Sequence, residues 1–320
     1  MAHMIEGNKA FYLSKPAWHG LGTVLTQAPT IAEAWRLAYP HSIFELPLKA
    51  DFEGLTTDIE SHKAIVRDDG QVLGVVGSKY ELIQPVEAFE FFSPWLESGQ
   101  VELEAGGSLC NGSRMWALAK IKDAINEIAK NDPVTAYFLV YTSFDGSLSH
   151  GLQFTPIRVV CQNTLAEARQ GATKSNSKGV RHTKGMHAKI DQIQASIDVA
   201  RQTFDATCQQ YELLAKKSIS KAQTEAFVRY VIEPEGNDSA ENSTKLENKV
   251  QSVLSLVSNQ RNAELVPAIR GTAWEAYNAV TEYITHEHGR NDDNRLNAQW
   301  FGDSAKLNRR AFDAALCLAQ

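Results

Sequence analysis

Two turn signals divide the first half of this 320-residue chain into pairs of strands. HKAIVRDDGQVLGVVG, residues 62–77, alternates apolar residues on both sides of its DDG at 68–70, and a second apolar run is interrupted by DG at 145–146. Asp-Gly pairs are typical of hairpin turns because both residues tolerate unusual backbone conformations. We therefore predict an antiparallel meander, with SIFELPLKADF, residues 42–52, as a further strand.

Two helices are predicted within this half. Thr30 and Glu33 have capping-box spacing, so a short helix should end before Pro40. A second helix should begin at Pro85 and end at Gly99, because proline suits the first helical turn and glycine its end. Strands and helices in this order predict the α+β fold class.

The second half has helical periodicity instead. Ile190, Ile197, Phe204 and Tyr211 recur every seven residues, which predicts one long amphipathic helix over residues 187–215. Such a helix packs either on its own domain or as a coiled coil against another subunit, and the pattern leaves both open.

Further helices and one loop complete the expected organisation. The helical patterns cover residues 220–233, 248–260, 271–290 and 304–319, and a polar loop of low order is expected at 234–249. We expect a sheet-containing region, 1–185, with a basic loop at 172–185, and a mainly helical region, 186–320, packed as two domains or one unit.

The composition excludes several classes of protein. A net charge of −6 is unlike a basic nucleic-acid coat, so any polyanion must bind to a local patch. No apolar stretch is long enough to span a membrane and no signal peptide begins the sequence, so we expect a cytoplasmic protein with no membrane association. Cysteines 110, 161, 208 and 317 form no CxxC pair, and we expect no disulfide framework, no metal and no cofactor.

One basic window differs from the rest of the chain. Residues 158–189 contain seven Lys and Arg against the single acid Glu167, a net +6, whereas the remainder carries −12. Its centre, GATKSNSKGVRHTKG, is rich in small polar residues whose backbone amides can contact phosphates together with the cations. The window predicts a polyanion site; the alternative is a solvated loop that balances acidic neighbours.

An aromatic pair near the N-terminus is a second candidate contact. Trp18 and His19 precede Gly20 and Gly22, and a tryptophan can stack on an unpaired base. The alternative is that Trp18 fills the edge of the core.

The signals for an enzyme or a metal site are weaker. Cys161 could be a nucleophile with His182 as its base and Asn163 as the orienting group, but it also fits the end of a buried strand as an apolar residue. Asn163 and Thr164 also suit a helix cap. His286 and His288 are two residues apart and would face apart on a helix. Three cations of the last helix form either a second phosphate contact or an ordinary exposed face: Lys306, Arg309 and Arg310.

The chain resembles the phage- and plasmid-associated family called domain of unknown function 932. The resemblance rests on PAWHGLGTVL, RVVCQNTLAEA, VRHTKGMHAKI, GTAWEAYNAVTEYITH and WFGDSAK, in that order. It implies a mobile-element context but no reaction. The order of elements also resembles phage single-strand annealing proteins, which implies subunit rings that hold DNA in a basic groove. The family motifs map onto Trp18, His19, Gly20, Arg158, Cys161, Asn163, Thr164, Arg181, His182 and Thr183.

Our leading hypothesis is a non-enzymatic, homo-oligomeric nucleic-acid-binding protein that favours single-stranded DNA in recombination or replication. The alternatives are an oligomeric interaction protein that modulates a host system and, less favoured, a cysteine- or histidine-dependent enzyme. The expected nucleic-acid-binding residues are Trp18, His19, Arg158, Arg169, Lys174, Lys178, Arg181, His182, Thr183 and Lys184.

Overall fold

A computed structural model describes residues 5–13, 22–158, 163–164, 177–183, 197–233, 240–259, 266–288 and 295–320. Within these residues strands dominate the first half and helices the second, which confirms the α+β class. In chain order the strands are β1 Ile5–Leu13, β2 Thr23–Leu25, β3 Ile43–Phe52, β4 Leu55–Arg67, β5 Val72–Gly77, β6 Val101–Leu109, β7 Arg114–Ala129, β8 Asp132–Ser143, β9 His150–Arg158, β10 Asn163–Thr164 and β11 Ser177–Val180.

The larger sheet is built around the predicted meander. Its order is β10-β9-β8-β7-β6-β1-β2, with β11 also paired to β9, so the consecutive strands β6 to β9 lie side by side. The N-terminal strand β1 adds to β6 antiparallel, and β2 adds to β1 parallel. Gly106 allows this addition because a Cβ there would lie 2.7 Å from the Phe11 ring.

The smaller sheet contains the other predicted hairpin. Its order is β3-β4-β5, and the turn between β4 and β5 places Gly70 at a φ of 86°, as the DDG signal predicts. The ladder between β3 and β4 is interrupted by a bulge, because Pro47 pairs with Lys63 whereas Leu48 pairs with Ile59.

The predicted helices of the first half form with their caps. Helix α1, Ile31–Ala38, has the capping box, since the Glu33 N–H donates to the Thr30 hydroxyl at 3.3 Å and the Thr30 N–H donates to the Glu33 carboxylate at 2.9 Å. The single helix expected from Pro85 to Gly99 is divided into α2, Pro85–Glu90, and α3, Ser93–Glu97. Pro94 has no N–H to donate to the carbonyl four residues earlier, which accounts for the break.

The helices of the second half begin with the predicted long one. The described helices are α4 Ile197–Lys216, α5 Lys221–Ile232, α6 Ala240–Asn259, α7 Ala273–Glu282, α8 Arg295–Phe301 and α9 Asp303–Ala319, and a π-helical turn, Tyr283–Glu287, follows α7. Helix α4 confirms the later part of the predicted helix, and residues 187–196 lie outside the described residues.

The loop expected over residues 234–249 is wrong for its second part. Helix α6 begins at Ala240, well before the predicted start. This polar segment is held from outside, because Arg229 of α5 donates to the Glu247 carboxylate at 2.8 Å, while Val250 and Val253 of the same helix are buried. Tertiary contacts of this kind override a weak local pattern.

The seven-residue repeat packs within its own unit. Tyr211 of α4 has its ring centroid 4.8 Å from that of Trp274 and 5.4 Å from that of Phe312, and Phe204 is buried as well. The Trp274 indole N–H donates to the Asp132 carboxylate at 2.8 Å, where β8 begins. In the described part of α4, the repeat is therefore used for intramolecular packing.

The chain divides into two compact units that are discontinuous in sequence. The sheet unit comprises Met1–Lys122, Tyr137–Phe154 and Gly171–Ala200, and the helical unit comprises Asp123–Ala136, Thr155–Gln170 and Arg201–Gln320. The expected boundary at residue 185 concerned independent domains and stays a prediction. Among the described helices, none has the length and apolar character needed to cross a membrane.

Strand β9 provides a stability test of the sheet unit. Gly151 pairs with Gly179 of β11, and a Cβ at Gly151 would overlap the Tyr141 ring. We expect Gly151→Ala to lower the free energy of unfolding by about 1–3 kcal/mol, measured by chemical denaturation, because the strand or the ring must shift. Gly77→Ala is the control, since a Cβ there meets nothing within 4 Å. Equal effects of the two substitutions would refute this account.

Candidate nucleic-acid interface

The candidate site is the end of strand β11 and the three residues that follow it. Strand β11 pairs antiparallel with β9, in a register that places Lys178 opposite Leu152 and Val180 opposite His150. The backbone of residues 177–180 of the basic window is therefore held by a sheet ladder. Residues 181–183 then leave the ladder as a short turn.

His182 anchors this turn in the sheet unit. Its ring is only 6% exposed and stacks on the Tyr80 ring, with centroids 4.6 Å apart and 15° between the planes. Nδ1 lies 3.1 Å from the Glu81 carbonyl oxygen and Nε2 lies 3.2 Å from the Thr142 hydroxyl. A carbonyl can only accept, so Nδ1 carries the proton, and Nε2 of the neutral ring accepts from Thr142.

Burial determines the ionisation of this ring. It lowers the pKa of His182 below the usual histidine value, although the Glu81 carbonyl acts in the opposite direction. The neighbouring Tyr80 hydroxyl donates to the Ser143 carbonyl at 2.7 Å, and burial raises the pKa of Tyr80, with smaller contributions from Asp145 and Glu45. The anchor is therefore neutral at neutral pH.

The neighbours of the anchor face solvent. Arg181 and Thr183 are exposed on either side of the buried His182, and the Thr183 N–H donates to the Arg181 carbonyl at 2.8 Å. The His182 carbonyl accepts from the Glu81 N–H at 3.0 Å, which fixes residues 181–183 beside residues 79–81. Lys79, two residues before Glu81, is an exposed cation that no sequence pattern singles out. We call Lys79, Arg181 and Thr183 the tip cluster.

The other predicted contact residues are less defined. Lys178 lies in β11, and Arg158 ends β9 in the helical unit, where it pairs with Asn163. Outside the described residues lie Trp18, His19, Arg169, Lys174 and Lys184, as do Gly20 and Cys161. The structure therefore places Arg181, His182 and Thr183 in one turn, beside the segment that contains Lys79, and leaves the remaining contacts as predictions.

Asn163 and Thr164, the expected helix cap, form β10, in which Asn163 pairs with Arg158 and Thr164 with Ile157. The residues that follow them lie outside the described residues, so the helix cap stays a prediction.

The His182–Thr142 contact resembles a base beside a hydroxyl nucleophile, but its burial prevents that chemistry. The Thr142 residue is fully buried, so a substrate cannot reach its hydroxyl. Elsewhere in the chain, burial raises the pKa of Cys110 and raises that of Cys208 to about 12, which disfavours the nucleophilic thiolate at both positions. The arrangement of His182 is that of a support for the tip cluster.

The late histidines and cations have local roles. The His288 N–H donates to the Tyr283 carbonyl at 2.7 Å, at the end of the π-helical turn. No group of three His, Cys, Asp or Glu side chains suited to a metal ion occurs in the described part of the chain. Lys306 contacts Asp303 at 3.0 Å, and Arg310 lies over the Tyr230 ring at 4.6 Å. These contacts favour an ordinary helix surface.

The anchor predicts a pH-dependent stability. Because the folded pKa of His182 is lowered, the unfolded chain binds more protons than the folded chain below the ordinary histidine pKa. The contribution of the neutral His182 ring to the free energy of unfolding is complete above about pH 6.5. It is lost, by at most about 1.4 kcal/mol per pH unit, as the pH falls toward the folded pKa. His182→Gln should reduce this slope in denaturation curves between about pH 5 and 8.

Gly151→Ala provides the control for this measurement, because it destabilises the same unit without removing a titratable group. It should retain the wild-type slope. Identical slopes for wild type and His182→Gln would contradict the proposed anchor.

Comparison with known proteins identifies a family but no relative of known function. The family described as Domain of unknown function (DUF932) matches residues 72–300, which include the tip cluster and exclude Trp18 and His19. No curated protein and no solved structure gives a significant match. Since the matched residues make up well over half of the chain, the protein belongs to the DUF932 family.

Proposed function

We propose that this chain is a nucleic-acid-binding protein of a phage, plasmid or related mobile element. In this proposal it is a cytoplasmic homo-oligomer that favours single-stranded DNA during recombination or replication. The observation that carries the proposal is the alternation at the tip, where exposed Arg181 and Thr183 flank the buried, neutral His182.

The tip cluster has the chemistry that a phosphate backbone requires. The Arg181 guanidinium can donate two parallel hydrogen bonds to one phosphate, the Thr183 hydroxyl adds a neutral donor, and the Lys79 ammonium adds charge. Because the His182 ring and the Glu81 backbone hold the turn, less conformational entropy is lost when a ligand binds. Such contacts would bind the backbone without reading base sequence.

The remaining cations of the basic window would extend this site along the bound nucleic-acid strand. Arg158, Arg169, Lys174, Lys178 and Lys184 would neutralise further phosphates, and Trp18, with His19 beside it, would stack on a base. His182 itself would position its neighbours and make no contact with the ligand. The rest of the chain is acidic, so binding should be confined to this window and should weaken strongly with salt.

A salt titration tests the proposal. Fluorescence anisotropy with a labelled single-stranded oligonucleotide should show binding at about 50 mM salt and a steep loss of affinity at higher salt. The triple variant Lys178→Ala/Arg181→Ala/Lys184→Ala should bind at least about 10-fold more weakly, and its salt slope should fall by about 2, because each lost single-strand contact removes about 0.7.

The chain offers a charge-matched control for that variant. Lys49, Lys216 and Lys306 are exposed and each lies beside a carboxylate away from the basic window, at 3.7, 3.6 and 3.0 Å. Replacing these three by alanine should leave the affinity within about 2-fold of wild type, since only long-range charge changes. Equal losses in the two triple variants, or no binding by wild type, would overturn the proposal. Competition with duplex DNA and with RNA then establishes which type of nucleic acid the protein prefers.

A further inference from the structure

The two faces of the smaller sheet differ in chemical character. Directly paired residues share a face, and alternate residues of one strand share a face as well. One face of the sheet, which we call the apolar face, contains two polar residues, Thr57 and His62. It is formed by Phe44, Leu46, Leu48, Ala50 and Phe52 of β3, Leu55, Thr57, Ile59, His62, Ala64 and Val66 of β4, and Val72, Val75 and Gly77 of β5.

The charged residues of β3 and β4 occupy the opposite face. Lys63 contacts Glu45 at 2.7 Å, and Lys49 contacts Asp58 at 3.7 Å. Ile65 is buried on this opposite face, near the base of the hairpin, so that part of the face packs on the rest of the sheet unit. The charged side chains of these two strands therefore point away from the apolar face.

The apolar face is open to solvent. Seven of its residues are 37–73% exposed: Phe44, Leu46, Phe52, Leu55, Ile59, Val72 and Val75. Their exposed surface amounts to about 600–700 Å², at or above the largest apolar patch of a typical monomer. A standard protein interface buries about 800 Å² on each partner, so this patch is the size of one half of such an interface.

The chemistry of the patch favours a second copy of the chain as its partner. A two-fold interface brings one patch against the same patch of the other copy, so an isolated charge within an apolar patch would lose water without an opposite charge to pair with. The apolar face carries no Asp, Glu, Lys or Arg and meets this requirement. For the same reason it offers nothing to bind a polyanion.

The β3 edge of the sheet favours packing through the face over the addition of a strand. β3 is one of the two edge strands, and it carries Pro47, Lys49 and Asp51. Proline and charged residues on an edge oppose the addition of another strand. Two twisted sheets can instead stack face to face about 10 Å apart, with the side chains of their inner faces interlocking.

We propose that two copies of this chain dimerise by packing their apolar faces against each other. The alternative surface suggested by the sequence, the seven-residue repeat of α4, is used inside the helical unit at Phe204 and Tyr211. This dimer would be the homo-oligomer of the proposed function, and the inference rests on that proposal only in this respect. The dimer does not depend on nucleic-acid binding.

Sedimentation equilibrium without nucleic acid tests the dimer. The wild type should have twice the 35.4 kDa chain mass. The variant Leu46→Glu/Val75→Glu places two carboxylates on the apolar face and should have the chain mass, with the dimer dissociation constant raised at least about 100-fold. Both positions are exposed, so the fold should tolerate the change; circular dichroism checks this.

Two further variants keep the test decisive. Ile125→Glu/Leu213→Glu makes the same change at exposed apolar residues of the helical unit and should remain dimeric. Phe52→Ser/Leu55→Ser removes the most exposed pair of the apolar face without adding charge and should weaken the dimer, even if the glutamate variant fails to fold.

The outcomes separate this proposal from the proposed function. A monomeric wild type, which would mean that another segment or another protein covers the face, overturns the dimer, as does a dimer that survives both apolar-face variants. Anisotropy with the oligonucleotide is measured on the same samples. Loss of the dimer with binding retained supports this inference alone, and a dimer that binds no oligonucleotide overturns only the nucleic-acid proposal.

Discussion

The pairing of β7 with β8 is the constraint on which the rest of the structure depends. The two strands have 16 and 12 residues, and they occupy the middle of the larger sheet. The first part of β7 and the last part of β8 belong to the sheet unit, whereas the residues around the turn that joins the two strands belong to the helical unit. There Asp132 accepts the Trp274 indole N–H, which ties the strands to the aromatic cluster around Tyr211. Both units thus draw part of their structure from one hairpin.

The tip cluster is a consequence of the same sheet. β8 supplies Thr142, β9 provides the ladder for β11, and together they bring His182 to a position beside Tyr80. A neutral imidazole can be buried with two hydrogen bonds at modest cost, whereas a buried cation would require a counter-ion. The fold therefore places its uncharged residue inside and leaves the adjacent guanidinium in water, where a phosphate can reach it.

Local signals in the sequence were sufficient for several elements and insufficient for the site. The Thr30 capping box, the DDG turn and the repeat of α4 act over a few residues, and each forms as predicted. His182 and Glu81 are 101 positions apart, so no local pattern could reveal the anchor or Lys79. The alternation of β3 was visible, but which of its faces the fold would cover depends on distant packing. Glu247, in the polar part of α6, likewise pairs with Arg229, a residue of another helix.

The place of β1 in the larger sheet has a consequence for how the protein is made. β1 is synthesised first, yet Tyr12 pairs with Ala105, about 90 residues later, and at about 5–20 residues per second that strand leaves the ribosome roughly 5–20 s afterwards. During this interval β1, whose Phe11 and Tyr12 are buried in the finished sheet, can pair only with the three-residue strand β2 and lacks its antiparallel partner β6. The hairpins from β6 to β9 close locally and quickly, whereas β1 must close a long loop. Nascent chains should thus pass through a stage in which the apolar residues of β1 are exposed while the larger sheet is still incomplete. Chaperone binding would be most useful at that stage.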